Sequence, residues 1–465
     1  MMNGKTAEQV MEDTARVRGE KTIVLALFAA VFLTVLLVRL PFLDNGFGRD
    51  GDAWRVALVA DGIARGAGYE ASRLPGYPVH EYVCAMLIGY GWLATNFATA
   101  FMGSISAAFL ALVLLRLGTR PALSAAGALA YAFTPTTFIN GVSTVDYPFA
   151  MAFVLAAVYF ALGGRAILAG VLLGFAVGSR LPSLMFLPVL WLVLVHAQGR
   201  LHLASSAKLA ATALVTAVIL WIPVVSRYGA GFFTFYQVGY PPLSDVLYKM
   251  TVDTWGRTGL VSLALGFGAL SYRRIKGCRM PTAASLSSKP LALAFLIGIS
   301  LPVAQFLKLP MESGYLMPAV AFLVLLFATQ LPTQAFATCS TLLVLSSWIT
   351  PGPSGIGRGV IFVDYELRGK EMAFARSVLK TASQSPEGAT IVAGEWKPQL
   401  LWLKKNDLSD LQSIEVVYLA SPRDANRIFH KPGPVYLLPH VQNFNIAVHG
   451  VNLESMGAKA LLFPE

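Results

Sequence analysis

The sequence predicts a mainly α-helical, polytopic membrane protein: a transmembrane bundle of about eleven spans with a small C-terminal α/β domain on the outer face. Three observations carry that expectation. Of 465 residues, 55% are hydrophobic and 13% are charged, against roughly 25% charged in a soluble domain, and mean hydropathy is +0.61. Apolar runs of bilayer length recur from Thr22 to about Trp348. From Pro351 the apolar runs shorten to four to six residues and alternate with helical patterns.

The first 21 residues carry mixed charge and are too long for the basic leader of a cleavable signal. A disordered, retained cytoplasmic tail is expected over residues 1–21. The first span runs from about Thr22 to Leu40. Lys5, Arg16, Arg18 and Lys21 precede it and place its N-terminus inside. The loop 41–81 then lies outside. Within it, Asp52 to Arg65 has helical composition, with Asp52 as its expected cap and Gly66-Ala67-Gly68 as its stop.

Two apolar runs follow, Val83 to Thr95 and Phe97 to Leu117. Two full crossings would leave Arg116 and Arg120 outside, against the positive-inside rule, so Val83 to Thr95 is read as non-crossing or re-entrant. The remaining gaps then alternate. Arg116 and Arg120, Arg165, Arg200 to Lys208, the group Arg273, Arg274, Lys276, Arg279 and Lys289, and Thr329 to Gln334 fall inside. Thr134 to Asp146, Ser179-Arg180-Leu181-Pro182, Arg227 to Arg257 and Lys308 to Tyr315 fall outside. The membrane domain therefore spans residues 22–350.

Residues 351–465 make the second, extracytoplasmic domain. Strands are expected at Val360-Ile361-Phe362-Val363, Thr390-Ile391-Val392-Ala393, Ile414 to Tyr418 and Val435 to Leu438, with a helix over Arg368 to Thr381. The net charge of +11 sits mostly in gaps between apolar runs, where it sets topology. It points to membrane lipids and excludes nucleic acid as a partner. Cys84, Cys278 and Cys339 show neither ligand spacing nor a disulfide framework.

Charged and polar groups concentrate between Arg49 and Glu81, beside the membrane, where charge is costly and usually functional. Asp50-Gly51-Asp52 places two carboxylates together. They suit a general base, whose pKa rises in a low dielectric, or the oxygen ligands of a divalent cation. A plain helix cap with a solvated neighbour explains the same spacing. Arg73 precedes Leu74-Pro75-Gly76-Tyr77-Pro78, a rigid turn, and its planar fork suits two phosphate oxygens, or it snorkels to headgroups. His80 and Glu81 open the next helix, where an acid is also favoured by the helix dipole. Asp146, Arg180, and Lys308 with Glu312 and Tyr315 are further polar groups at outer span ends. Asp146 fits a helix N-terminus equally well, whereas Arg180 opposes the positive-inside rule and so wants an explanation.

An acidic motif directly after the first span, then a basic or His residue, a Pro-Gly-Tyr-Pro turn and an apolar helix resemble the GT-C-fold membrane glycosyltransferases. These include the protein O-mannosyltransferases and the aminoarabinose transferases of lipid A. Ser72 to Pro78 is similar to their turn, and Ser179 to Pro182 and Lys308 to Pro318 look like later signatures of the group. The resemblance covers the membrane region through Pro351. It implies transfer of a sugar, with inversion, from a polyprenyl-phosphate or diphosphate donor to a lipid, glycan or protein acceptor at the outer face of a bacterial plasma membrane. Carried over, Asp52 is the first candidate for the catalytic acid and Asp50 the second. Arg73 would bind the donor phosphate, and Glu81 and Asp146 would be accessory acids. Asp-Gly-Asp departs from the common Asp-Glu or Glu-Asp pair, which leaves the base unassigned between the two and a divalent cation open; no other cofactor is implied.

Rival readings exist. A flippase or transporter would need internal repeats and charges at mid-membrane depth, and neither is evident. A polysaccharide polymerase or ligase would place key arginines in a large later outer loop, for which Arg227 to Arg257 is the candidate. A non-catalytic scaffold does not account for the polar density of the first loop.

Overall fold

The protein is described here by a computed structural model covering residues 7–233, 240–276, 281–286, 288–353, 355–407, 413–418, 427–439 and 453–463. Lys5, Cys278 and Arg279 lie outside the described residues. The first part is helical: α1 Ala7–Arg39, α2 Gly51–Ala64, α3 Pro78–Leu87, α4 Trp92–Arg116, α5 Pro121–Ala132, α6 Pro135–Asn140, α7 Tyr147–Leu162 and α8 Ala166–Ser179. It continues with α9 Leu187–Gln198, α10 Leu203–Tyr228, α11 Leu243–Tyr248, α12 Thr254–Lys276, α13 Lys289–Lys308, α14 Met317–Gln330 and α15 Thr333–Leu345. Proline in the first turn starts α3, α5, α6, α7, α9, α13 and α14, where its missing N–H costs nothing.

Among the described residues, six stretches are long and apolar enough to cross a bilayer: Lys21–Phe42, Trp92–Arg116, Leu181–Gln198, Leu203–Phe233, Lys289–Lys308 and Ser313–Gln330. Tyr147–Leu162, Ala166–Ser179 and Thr333–Leu345 are shorter apolar helices. The chain is an integral membrane protein. The run Val83 to Thr95 is not one helix. It is split by Gly91, whose φ is +76°, between the end of α3 and the start of α4. The ten residues of α3 rise about 15 Å, half the roughly 30 Å of a hydrocarbon core.

Helix α7 is buried along nearly its whole length and lies between α4 and α8, while α8 packs along α10. That last contact has a cause in the sequence. Gly170, Gly174 and Gly178 recur every fourth residue, and a Cβ at Gly174 would stand 2.9 Å from the Ala213 carbonyl and one at Gly178 2.8 Å from Leu220. Small residues at this spacing let two backbones approach within the membrane.

The C-terminal part begins with a hairpin of β1 Ile349–Gly352 and β2 Gly355–Arg358. Helix α16 Val360–Ser383 follows, then β3 Ala389–Val392, α17 Lys397–Asn406, β4 Ile414–Val417, β5 Val435–Leu437 and β6 Lys459–Ala460. The last four strands form one parallel sheet in the order β4-β3-β5-β6. This small α/β unit docks on the first loop. Trp402 meets Phe47 edge-on with centroids 4.9 Å apart, and Lys405 pairs with Asp61.

Three local expectations change. The N-terminal stretch is helical from Ala7, as its run of good helix formers allows. Val360 to Val363 opens α16 instead of forming a strand. Ile361, Asp364, Arg368, Met372, Ala375 and Leu379 are buried along it, a helical spacing that outweighs the β-branched start. The cap of α2 is Asp50, not Asp52: the Asp52 N–H donates to Asp50 Oδ1 at 2.9 Å.

Candidate active site

That cap matters, because it leaves the Asp52 side chain free to turn away from its own backbone. Asp52 then lies in a chain of alternating charge. Its Oδ2 accepts from Arg73 Nη1 at 3.1 Å, and its Oδ1 from Arg55 Nη1 at 2.9 Å. Arg73 Nη2 donates to Asp146 Oδ1 at 2.7 Å, and Arg180 Nη1 to Asp146 Oδ2 at 2.5 Å. The order Asp52, Arg73, Asp146, Arg180 runs from a partly exposed carboxylate to a buried guanidinium. Such a run is tolerable inside protein because each charge meets its opposite with good geometry.

Each member is placed by the fold around it. Arg73 sits on a turn gathered by the fully buried Glu81. Glu81 Oε1 accepts from the Ser72 N–H and hydroxyl, both at 2.7 Å, and Oε2 from the Tyr69 hydroxyl at 2.5 Å and the Tyr77 N–H at 3.1 Å. All acceptor directions of the carboxylate are used in shaping the turn. Gly76 completes it with φ +106°, and a Cβ there would lie 2.9 Å from the Tyr69 hydroxyl. Asp146 stands just before α7, in a loop tied to the first by Thr144 N–H donating to the Phe47 carbonyl at 2.7 Å. Asn96 joins them: its amide donates to the Leu43 and Gly46 carbonyls and its oxygen accepts from Thr144. Arg180, at the break after α8, lies 4.1 Å from the Tyr147 ring centroid, 4.7 Å from Tyr315 and 5.9 Å from Tyr77. Beneath it is a small apolar cavity of about 20 Å³, lined by Met151, Phe186, Tyr315 and Pro318 among others.

The electrostatics follow from burial and these partners. Asp50 keeps part of its surface, yet burial and then the neighbouring Asp52 push its carboxyl up to about 6, with Arg73 opposing. Burial disfavours ionised Asp146, but the Arg180 and Arg73 charges overcome it and hold the carboxyl below the usual range. Glu312 moves well up, first through burial and then through Asp50, with Lys249 opposing. Burial pushes His80 down to about 4.

The structure brings together Asp50, Asp52, Arg73, Asp146, Arg180 and Tyr315. It places the other candidates elsewhere. His80 points into the protein against Phe149, with centroids 4.9 Å apart, and its Nδ1 has no partner. Glu81 is committed to the turn, and Lys308 ends α13 exposed and outside the ion chain. Both arginines bounding the long loop are exposed, and Arg257 donates to the Pro351 carbonyl at 3.0 Å. Among the described residues no three His, Cys, Asp or Glu side chains group to hold a metal ion.

Several residues went unassigned in the sequence. Lys249 donates to the Met311 carbonyl, and Asp253 bonds Ser313, which brings the 311–315 turn and its Glu312 toward Asp50. From the C-terminal unit, α16 sends Glu371 to Arg49 at 3.1 Å. The one signal for these was isolated charge beside apolar runs, and nothing local told which of them converge.

We found no match to any protein family or to any curated protein. Among solved structures, the chain is similar to ArnT from Cupriavidus metallidurans, crystallised in the apo state. The TM-score is 0.55 at 12% identity, over 92% of this chain and 94% of that one. The GT-C fold implied by the first loop is thus the fold of this chain, shared with ArnT over nearly its full length.

Proposed function

We propose that this protein is an integral membrane glycosyltransferase that moves a sugar from a polyprenyl-phosphate-linked donor to an acceptor hydroxyl at the outer membrane face. The observation that carries the proposal is the Asp52–Arg73–Asp146 arrangement, built at the end of the bundle on an ArnT-like fold. The acceptor oxygen bonds to the anomeric carbon as the carbon–oxygen bond to phosphate breaks. The electron pair leaves on the phosphate, and the hydroxyl proton passes to Asp52. Arg73 compensates the leaving charge from a preorganised position. Asp146 and Arg180 act through Arg73, as positioning residues. On this reading the α/β unit that packs on the first loop shares its outer face, with Lys405 paired to Asp61 of α2. The Arg257 contact with Pro351 supports transfer over the polymerase or ligase reading, because that arginine serves the hairpin and not the ion chain.

The test is transfer by the purified chain from a panel of polyprenyl-phosphate sugars, read as release of polyprenyl phosphate. Loss of a positioned general base costs about 10²- to 10⁴-fold, the drop expected for Asp52→Asn. A wild-type chain that consumes no lipid-linked sugar, or full transfer by both Asp52→Asn and Asp50→Asn, contradicts the reading.

A further inference from the structure

The three edges of the Arg73 guanidinium are not equivalent. Nε donates to the Tyr77 hydroxyl at 3.0 Å, and the Tyr77 ring lies 4.4 Å from the guanidinium carbon. Nη2 holds Asp146, whose side chain is 1% exposed and is also gripped by Arg180. Nη1 holds Asp52, whose side chain is 20% exposed. Two edges are thus closed by buried partners that cannot leave without uncovering charge, and the third faces the accessible side.

We propose that the Asp52 edge of Arg73 is an exchangeable phosphate edge. The phosphate of the lipid-linked donor displaces Asp52 Oδ2 from Nη1, and that displacement frees the carboxylate to take the acceptor proton. The proposal rests on the glycosyltransferase reading and adds to it an order of events. Exchange at one edge leaves Nε and Nη2 in place, so the guanidinium keeps its aim. Phosphate oxygens match the arginine fork at least as well as a carboxylate. Asp52 stays near after release, because Arg55 still holds Oδ1 at 2.9 Å. Donor phosphate and the Asp52 side chain then compete for one group, and the competition is reciprocal.

The experiment measures binding of sugar-free polyprenyl phosphate to the full-length protein in lipid nanodiscs, with inorganic phosphate in a parallel arm. If Asp52 competes for Arg73, Asp52→Asn and Asp52→Ala bind polyprenyl phosphate about five- to tenfold more tightly than wild type, the net worth of one hydrogen bond. Asp50→Asn removes an equal charge two residues away and changes binding less than about twofold. Equal tightening by Asp50→Asn reduces the effect to general charge and overturns the exchange, as does weaker binding by the Asp52 variants. In both cases phosphate binding, and so the enzyme reading, stands. Absence of polyprenyl phosphate binding by the wild type removes the enzyme reading together with the exchange. Inorganic phosphate binding with the same affinity and the same Asp52 dependence would show a free-phosphate site and overturn the lipid-linked source.

Discussion

Asp146 gives the sharpest test of the ion chain. Its carboxylate is 1% exposed and carries two arginines, at 2.7 and 2.5 Å. Asp146→Asn keeps the shape and removes the charge. Arg73 retains Asp52, but Arg180 loses the one carboxylate it touches among the described residues. The tyrosine rings around Arg180 remain, so the cation keeps the contacts it already has with them. Breaking a buried pair from one side costs about 3–5 kcal/mol, so a loss near the lower end, about 3 kcal/mol, is expected. The assay is reversible unfolding in mixed micelles, followed by tryptophan fluorescence. The cause is isolated by a second variant, Asp146→Asn with Arg180→Leu, which removes the stranded cation and should regain about 2 kcal/mol. If Asp146→Asn unfolds within about 0.5 kcal/mol of wild type, or if the double variant is less stable than the single one, the two-arginine bridge does not hold the site together.

Three further outcomes are expected. Asp50 has its carboxyl raised from 3.8 to about 6 in the fold, so its contribution to stability is fully present below the lower value and lost as pH rises through the upper one. Asp50→Asn keeps the cap and never ionises. It should therefore gain on wild type in midpoint temperature as pH rises from about 5 to 7.5, and a pH-independent difference would count against the buried setting of Asp50. Glu81→Gln must turn an amide N–H₂ toward existing donors in the turn. A cost of about 2–4 kcal/mol is expected, with faster proteolysis between Arg65 and Pro78; an unchanged cleavage rate would show that Glu81 does not shape the turn. Glu312, whose carboxyl is held well above the usual range by burial and by Asp50, should accept Gln within about threefold in transfer rate at neutral pH, because the amide mimics its protonated form. A hundredfold loss in Glu312→Gln would mean that the group works ionised.

Much of this was legible in residue order because bilayers impose strong local rules. Apolar length identified a polytopic membrane protein, prolines marked helix starts, and the density of charge after the first span singled out the loop carrying Asp52 and Arg73. The α/β pattern after Pro351 was likewise readable, since Thr390, Ile414 and Val435 lie in short β-branched runs that do become parallel strands. Val360 to Val363 misled because a four-residue window cannot reveal a helical face that only a 24-residue element displays. The Gly170, Gly174, Gly178 spacing was a usable signal for the α8–α10 contact.

Residue order by itself therefore determined the class of protein, the membrane character and the stretch in which charge concentrates, because hydropathy and backbone preference act over a few residues. Only the tertiary structure decided which charges meet. Asp146 lies 73 residues from Arg73 and 34 from Arg180, and Lys249, Glu312 and Glu371 come from elements more distant still. Pairing of charge depends on distance through space in a poorly screening interior, and that distance is set by how helices pack, which no local pattern encodes.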